Sequence, residues 1–374
     1  MTNERIRCWA EISEAALAFN IRQLNQIGPA VMAVVKADAY GHDVNLVVPL
    51  LQKYGISRFA VATVAEAAEL RVLPDMDSTQ IYLMAAVLPE EADDVVARGL
   101  TAMASDTAFV KALSDAAVRQ QRSVSVHMEI DTGIGRAGIA PENLSSTLQV
   151  WSSLPGIKVT GVCTHFTSAD AFDPADPIGQ SGLFQGLLCE IPGQMLSELA
   201  VHSANSPAAL RLNLTDSTLF RPGLLLYGIP PSPALSTDFP YHPVLSLKAR
   251  ALLVRRMPAG SDISYSRTYR LPKEATIATI GIGYGDGYPR RLSGIGSVLL
   301  PCGAEAPIRG RVCMDQICVE IPDGASLKQG DAVTLIGAVG NQSISVSQIA
   351  QMIDTTPHEI TTCLTSRVVR TLEA

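Results

Sequence analysis

Ala30-Val31-Met32-Ala33-Val34-Val35-Lys36 follows a Gly28-Pro29 break and leads into Ala37-Asp38-Ala39-Tyr40-Gly41-His42. The run is short, apolar and rich in β-branched residues, so it reads as a fully buried strand. Lysine is rarely buried without a reason. At the mouth of such a strand the amine is partly desolvated, which favours its neutral, nucleophilic form, the form that condenses with a carbonyl. Many strand-end lysines simply snorkel to solvent, so Lys36 alone decides nothing and the rest of the chain has to be read around it.

Upstream, Ser13 is placed to cap a helix in which Leu17, Ile21 and Leu24 share a face. Further strands are expected near 57–63, 79–85, 100–104, 123–130, 157–165, 198–203 and 218–221. Helical patterns fill the gaps, among them Val64–Val72, Pro89–Arg98, Thr107–Gln121 and Pro141–Leu154. Eight strand–helix units in about 230 residues are the pattern of a (β/α)8 barrel, placed at 13–240. A doubly wound open sheet is the alternative, but the first strand carries no Gly-x-Gly-x-x-Gly fingerprint.

The texture changes after Pro230-Pro231-Ser232-Pro233. Strand-like runs dominate at Leu245–Arg256, Ala275–Tyr284, Ser297–Leu300, Gln316–Ile321 and Ala332–Ala338, with late helices near Val346–Ile353 and Glu359–Thr365. The fold class is therefore α/β: an N-terminal TIM-type barrel and a C-terminal mostly-β domain at 241–374, which the opening segment 1–12 is expected to join as a strand.

The 374 residues suffice for two cores, with 47% hydrophobic and 17% charged residues. A net charge of −7 and the lack of a dense basic stripe argue against a nucleic-acid partner. The seven cysteines show no Cys-x-x-Cys spacing, which fits free thiols in a reducing compartment, and no metal site is indicated. No signal-type or spanning apolar stretch is seen, so a soluble, cytoplasmic protein without a membrane partner is expected.

A barrel carries its chemistry at the C-terminal ends of its strands. Lys36 falls there after the first strand, Asp131-Thr132-Gly133-Ile134-Gly135-Arg136 after the fifth and His165 after the sixth. Asn205-Ser206 follows the seventh and Arg221-Pro222-Gly223 the eighth, where barrels commonly bind phosphate. Each residue alone has an ordinary structural reading. Their coincidence at one face is the signal.

These motifs, with Leu226-Tyr227-Gly228, Ser264-Tyr265-Ser266-Arg267-Thr268-Tyr269, Gly283-Tyr284-Gly285-Asp286-Gly287-Tyr288-Pro289-Arg290 and Cys313-Met314-Asp315, run nearly end to end. The chain resembles the alanine racemases, the pyridoxal-phosphate-dependent barrel enzymes of fold type III. The resemblance implies that Lys36 holds pyridoxal 5'-phosphate covalently. Tyr40, Ser206 and the backbone donors of Gly223 and Leu224 would bind the phosphate, and Arg221, beside His165, would face the ring nitrogen. It implies a two-base exchange of L- and D-alanine, with Lys36 serving the D-enantiomer and Tyr265 the L-enantiomer. Arg136 and Met314 would meet the substrate carboxylate. It further implies a head-to-tail homodimer in which Tyr265 completes the partner's site, and a role in supplying D-alanine for peptidoglycan.

Two positions depart from the family pattern. Where the family usually has a lysine, often carbamylated, this chain has Glu129, which is expected to give Arg136 the same negative partner. Where the family typically has a tyrosine that lines the pocket and touches the cofactor phosphate, this chain has His358. A smaller, polar residue there opens the alternative of a serine or broad-specificity small amino-acid racemase. A non-catalytic pyridoxal-phosphate carrier would lack the Tyr265 and Met314 motifs, and a fold-related decarboxylase would carry a different cysteine motif from Cys313-Met314-Asp315.

Overall fold

The computed structural model describes residues 6–232, 235 and 239–373. The first five residues of the opening segment, and Pro233 of the proline-rich loop, lie outside them. Strand β1 (Cys8–Ile12) opens the described chain, and a helix over Glu14–Leu24 follows. Ser13 caps that helix by accepting the Ala16 N–H, and Leu17, Ile21 and Leu24 are buried on its inner face.

The 30–36 run forms β2 (Ala30–Val31) and β3 (Ala33–Val34), two halves of one strand interrupted at Met32. The strands β4 (Arg58–Val61), β5 (Gln80–Leu83), β6 (Thr101–Ala104), β7 (Val124–Glu129), β8 (Ile157–Cys163) and β9 (Ala200–His202) continue from β3 as one parallel sheet in chain order. The last barrel strand, β10 (Leu219–Phe220), pairs in parallel with β2. The Thr218 N–H to Val201 O and Arg221 N–H to Ala204 O bonds, both 2.9 Å, tie it to the β9 side and close the ring. Closure removes the sheet's edges, and the helices between strands cover its outer face. Helix starts carry the expected caps: Thr63 and Glu66 form a capping box, and Asp106 accepts the Phe109 N–H at 2.8 Å.

The later strands are β11 (Leu245–Met257), β12 (Asp262–Ile263), β13 (Tyr269–Arg270), β14 (Ala275–Ile280) and β15 (Ser297–Leu299). They continue as β16 (Glu305–Pro307), β17 (Ile317–Ile321), β18 (Ala332–Val339), β19 (Gln342–Ile344) and β20 (Val369–Leu372). β11 is the spine, antiparallel to β1, β14 and β18. Its first half alternates buried and half-buried residues, as a sheet with one packed face does. β1 also pairs in parallel with β20, so the two ends of the chain meet in this sheet. The 275–284 run leaves the sheet after Ile280, where Gly281 and Gly283 break it, and the last helix starts earlier than its pattern suggests, at Pro357. Among the described residues no helix is long and apolar enough to cross a membrane.

One local feature has no counterpart in the sequence reading. Ala37, Asp38, Ala39 and Tyr40 all adopt left-handed conformations, with φ of 51°, 54°, 52° and 56°. Each such non-glycine residue costs roughly 1–2 kcal/mol, so the surroundings must over-determine the turn. Glu66 Oε1 accepts the Ala37 N–H at 2.8 Å, and Asp38 Oδ1 accepts the Val44 N–H at 2.8 Å. His42 Nδ1 donates to Tyr40 O at 3.0 Å, and Arg370 Nε donates to Gly41 O at 3.1 Å. Gly41 itself has φ +78°, and a Cβ there would sit 2.0 Å from Thr361 O.

Gly41→Ala should therefore lose about 3 kcal/mol in urea unfolding, combining left-handed strain with overpacking. Gly55→Ala, with φ +87° and nothing within 4 Å, should lose only about 1 kcal/mol. Equal losses would show that the contact with Thr361 does not hold the turn.

Candidate active site

Lys36 and Tyr40 after β3, Arg136 after β7, His165 after β8 and Ser206 after β9 line one cavity of about 370 Å³ at the C-terminal ends of the barrel strands. Arg221, Gly223 and Leu224, which follow β10, line it too, and His358 enters from the helix Pro357–Thr362. Asp170 and Met84, which the sequence reading did not single out, also face it. Tyr265 and Met314 do not.

Burial lowers the Lys36 pKa, the charge of Arg136 lowers it further, and Glu66 and Arg221 act in opposite senses. The balance biases the amine toward its neutral, nucleophilic form.

Arg221 is 3% exposed, yet no carboxylate pairs with it among the described residues. Its guanidinium donates to His202 Nδ1 at 2.6 Å, Thr164 O at 2.9 Å, Ser203 O at 3.0 Å and His165 Nδ1 at 3.2 Å. Arginine has only donors, so both imidazoles accept at Nδ1 and carry their proton on Nε2. His202 Nε2 then donates to His127 Nδ1 at 2.7 Å. Burial first, and the nearby Arg221 charge second, hold all three rings neutral. His127 is pushed down to about 4, His165 to about 3 and His202 well below the usual imidazole range. The His127 ring leaves no room for a side chain at Gly161, whose Cβ would lie 2.6 Å from it. His127 and His202 were missed from sequence; their only signal is that they sit on alternate barrel strands, β7 and β9, on either side of Gly161 in β8.

Ser206 opens the helix Ser206–Arg211, and its Oγ accepts the N–H groups of Gly223 at 3.0 Å and Leu225 at 3.3 Å. Leu225 is thus the second backbone donor on this hydroxyl. A Cβ on Gly223 would meet Tyr40 Oη at 2.4 Å, so the phenol and the backbone can converge only because that residue is glycine. Burial pushes Tyr40 up to about 12, keeping it a neutral donor. Convergent hydroxyls and backbone amides suit an anionic group.

The expected Glu129–Arg136 pairing is not formed. Glu129 is buried and accepts from Ser105 Oγ at 3.0 Å, and no ion pair within 4.0 Å joins it to Arg136 among the described residues. The reason is the intervening loop. Asp131 Oδ1 accepts the N–H groups of Gly133 at 2.9 Å and Gly135 at 3.1 Å, curling the loop so that Arg136 is carried out to the exposed mouth. The field of Glu129 falls on Arg221 instead, opposing the effect of burial there. His358 lies against Tyr40, with ring centroids 5.5 Å apart, and its pKa is lowered by burial, then by Lys36, against Asp170.

Tyr265 and Met314 line a second, open cavity of about 500 Å³ with Ser264, Cys313, Asp315 and Gln316. They are 70% and 53% exposed. The platform that presents them is strained and pinned. Ser264, Ser266 and Arg267 have φ of 63°, 62° and 50°, and Ser264 Oγ donates to Arg311 O at 2.7 Å. The Met314 loop is held by the Gly285 N–H on Met314 O at 2.8 Å and by Arg367 on Asp315 at 2.5 Å. Arg367 and Arg7 also both bind the fully buried Asp286, at 3.0 and 2.7 Å. A large aromatic held outward by strained backbone marks a functional surface.

The family models for the alanine racemase N-terminal and C-terminal domains match residues 12–231 and 244–372. An alanine racemase of Halothermothrix orenii is 37% identical over 98% of this chain and 98% of its own length. The solved alanine racemase of Streptomyces coelicolor superposes with a TM-score of 0.91 at 32% identity, covering 100% of both chains. That of Bartonella henselae, with covalently bound pyridoxal phosphate, gives 0.87 at 27% identity over 98% of this chain and 99% of its own. A closed barrel with a strand-end lysine, joined to an antiparallel β domain, defines the class; the chain belongs to the alanine racemase family, whose members are amino-acid isomerases.

The buried imidazoles set a pH dependence. Between about 4 and 6.5 the unfolded chain binds protons that folded His127 and His42 do not. Their contribution is complete above about 6.5 and declines as pH falls toward 4, by about 1.4 kcal/mol per unit for each ring. His127→Gln should flatten the fall in urea stability between pH 6.5 and 4.5 by that amount. An unchanged slope would mean that folded His127 is protonated.

Proposed function

We propose that this chain racemises alanine with pyridoxal 5'-phosphate held by Lys36, and that the proton is exchanged by two bases, Lys36 on one face of Cα and Tyr265 of the partner subunit on the other. The observation that carries this reading is the division of the motif residues. The amine, the anion cradle and the buried arginine share one cavity, while Tyr265 and Met314 stand exposed on a rigid platform elsewhere. A head-to-tail pair of chains is the arrangement that brings the two halves together.

The residues present fit the cofactor. Gly223 leaves space beside Tyr40, and the Tyr40 and Ser206 hydroxyls line the cavity as donors for a phosphate, with the Gly223 and Leu225 N–H groups, held on Ser206 Oγ, next to them. When bound, pyridoxal phosphate supplies the electron sink that acidifies the α-proton. Arg221, being donor-only, could not accept from a protonated ring nitrogen placed against it and so would keep the sink weak. His202 and His127 hold its guanidinium in place from behind. A weak sink favours return of the proton to Cα over transamination. His165 lines the cavity beside Arg221, Leu224 walls it, and Arg136 at the mouth with the Met314 N–H would meet the substrate carboxylate. We also take 13–240 and 241–374 as the domain division, with the β1 segment joining the second through its pairing with β11. The product D-alanine, made in the cytoplasm, would serve peptidoglycan synthesis.

His358 supports a second reading for substrate choice. It lines the Lys36 cavity near Asp170 as a smaller, polar group than tyrosine. An apolar wall rejects an added hydroxyl only about a hundredfold, whereas a group aimed at that hydroxyl favours it. Serine turnover beside preferred alanine is expected.

Tyr265→Ala should keep bound cofactor and lose racemisation, with α-proton exchange surviving better from D-alanine than from L-alanine. Equal loss for the two enantiomers would count against the two-base assignment. His358→Tyr should lower the ratio of serine to alanine racemisation measured by chiral chromatography; a ratio that holds or rises would remove His358 from specificity.

A further inference from the structure

A third cavity, of about 320 Å³, lies between the barrel and the antiparallel sheet, away from Lys36. Ile229, Leu245, Ile336, Ile344 and Val346 give it apolar walls. Two of its lining residues hold buried polar atoms with no hydrogen-bond partner among the described residues: His42 Nε2 from the barrel side and Ser347 Oγ from the β side. Such orphans are uncommon and each costs about 1–3 kcal/mol.

His42 cannot turn to find a partner. Its Nδ1 is engaged by Tyr40 O, and its ring lies against Tyr227 with centroids 4.4 Å apart; Tyr227 in turn stacks on Tyr40 at 5.1 Å. Since the carbonyl takes the Nδ1 proton, Nε2 is a lone-pair acceptor. Burial holds the ring neutral, at about 4. The cavity opens past the exposed Ala338 and Ser343, so water enters it, but its walls are mostly apolar and a molecule that covers them gains by displacing that water. The volume is about twice that of an apolar cavity that accepts benzene and reaches the range of small-molecule sites.

The geometry points to a second binding site in this cavity, for a small apolar molecule of about bicyclic size carrying one N–H or O–H that donates to His42 Nε2, with Ser347 available to any acceptor on the ligand. This site is separate from the one that carries the racemase reading. Its ring stack ends on Tyr40, in the wall of the Lys36 cavity.

Calorimetric titration of the cofactor-loaded protein with indole tests it, with indene as the same shape lacking the donor. Indole should bind at one molecule per chain, and indene at least tenfold more weakly. Ala338→Trp, at an exposed lining position on β18, should abolish indole binding while leaving alanine racemisation intact. Ser347→Leu, which fills the cavity from the other side, provides the same arm if the tryptophan variant does not fold. Equal binding of indene would remove the donor assignment. Indole binding that survives both variants, or no binding up to the solubility limit, would overturn the site.

Discussion

The constraint on which the rest of this barrel depends is the burial of Arg221 without a carboxylate against it. A full positive charge inside a protein is costly unless every donor is satisfied. Here the guanidinium is met by two carbonyls and two neutral imidazoles, which absorb its hydrogen bonds without giving up their own neutrality. The requirement spreads outward. His202 must accept at Nδ1, so it donates onward to His127, and His127 needs the space that Gly161 leaves. Glu129, beside Ser105, contributes charge at a distance. Anything placed against Arg221 from the cavity side meets a donor that cannot act as an acid.

The surface that carries Tyr265 is organised by the opposite strategy. Tyr265 stands exposed on its own chain. It is held outward by a strained segment pinned to the Cys313–Gln316 loop, which a buried aspartate and two arginines fix in turn. Arg7, from the opening segment, and Arg367, just before the last strand, converge there, so the pairing of β1 with β20 also fixes the platform.

Much of this was legible in the sequence because its signals are local. Apolar runs at regular spacing marked the barrel strands, and Ser13 marked the start of the first helix, which stops at Leu24, short of the Gly28-Pro29 break. The polar residues following those runs then fell on one rim. What was not legible depends on long-range geometry. The left-handed turn at Ala37–Tyr40 has no glycine among its four residues, only Gly41 at its end, and is held by Glu66 at Ala37 and by Arg370 and Thr361 at Gly41, all distant in sequence. The His202–His127 chain, which bridges alternate strands β9 and β7 across Gly161 of β8, is invisible until those three strands are in register. The Glu129–Arg136 pairing failed because nearness in sequence ignored the curl that Asp131 imposes on the loop between them.

The central claim is that one active site is built from two chains, Lys36 from one and Tyr265 from the other. It is tested most directly by mixing inactive Lys36→Ala and Tyr265→Ala proteins under conditions in which subunit exchange is demonstrated. The account predicts that activity returns, because a hybrid dimer holds one site with both residues intact, and that it approaches a quarter of wild type as exchange completes, half the dimers being hybrid with one good site in two. No recovery after complete exchange would contradict it and place both bases within a single chain.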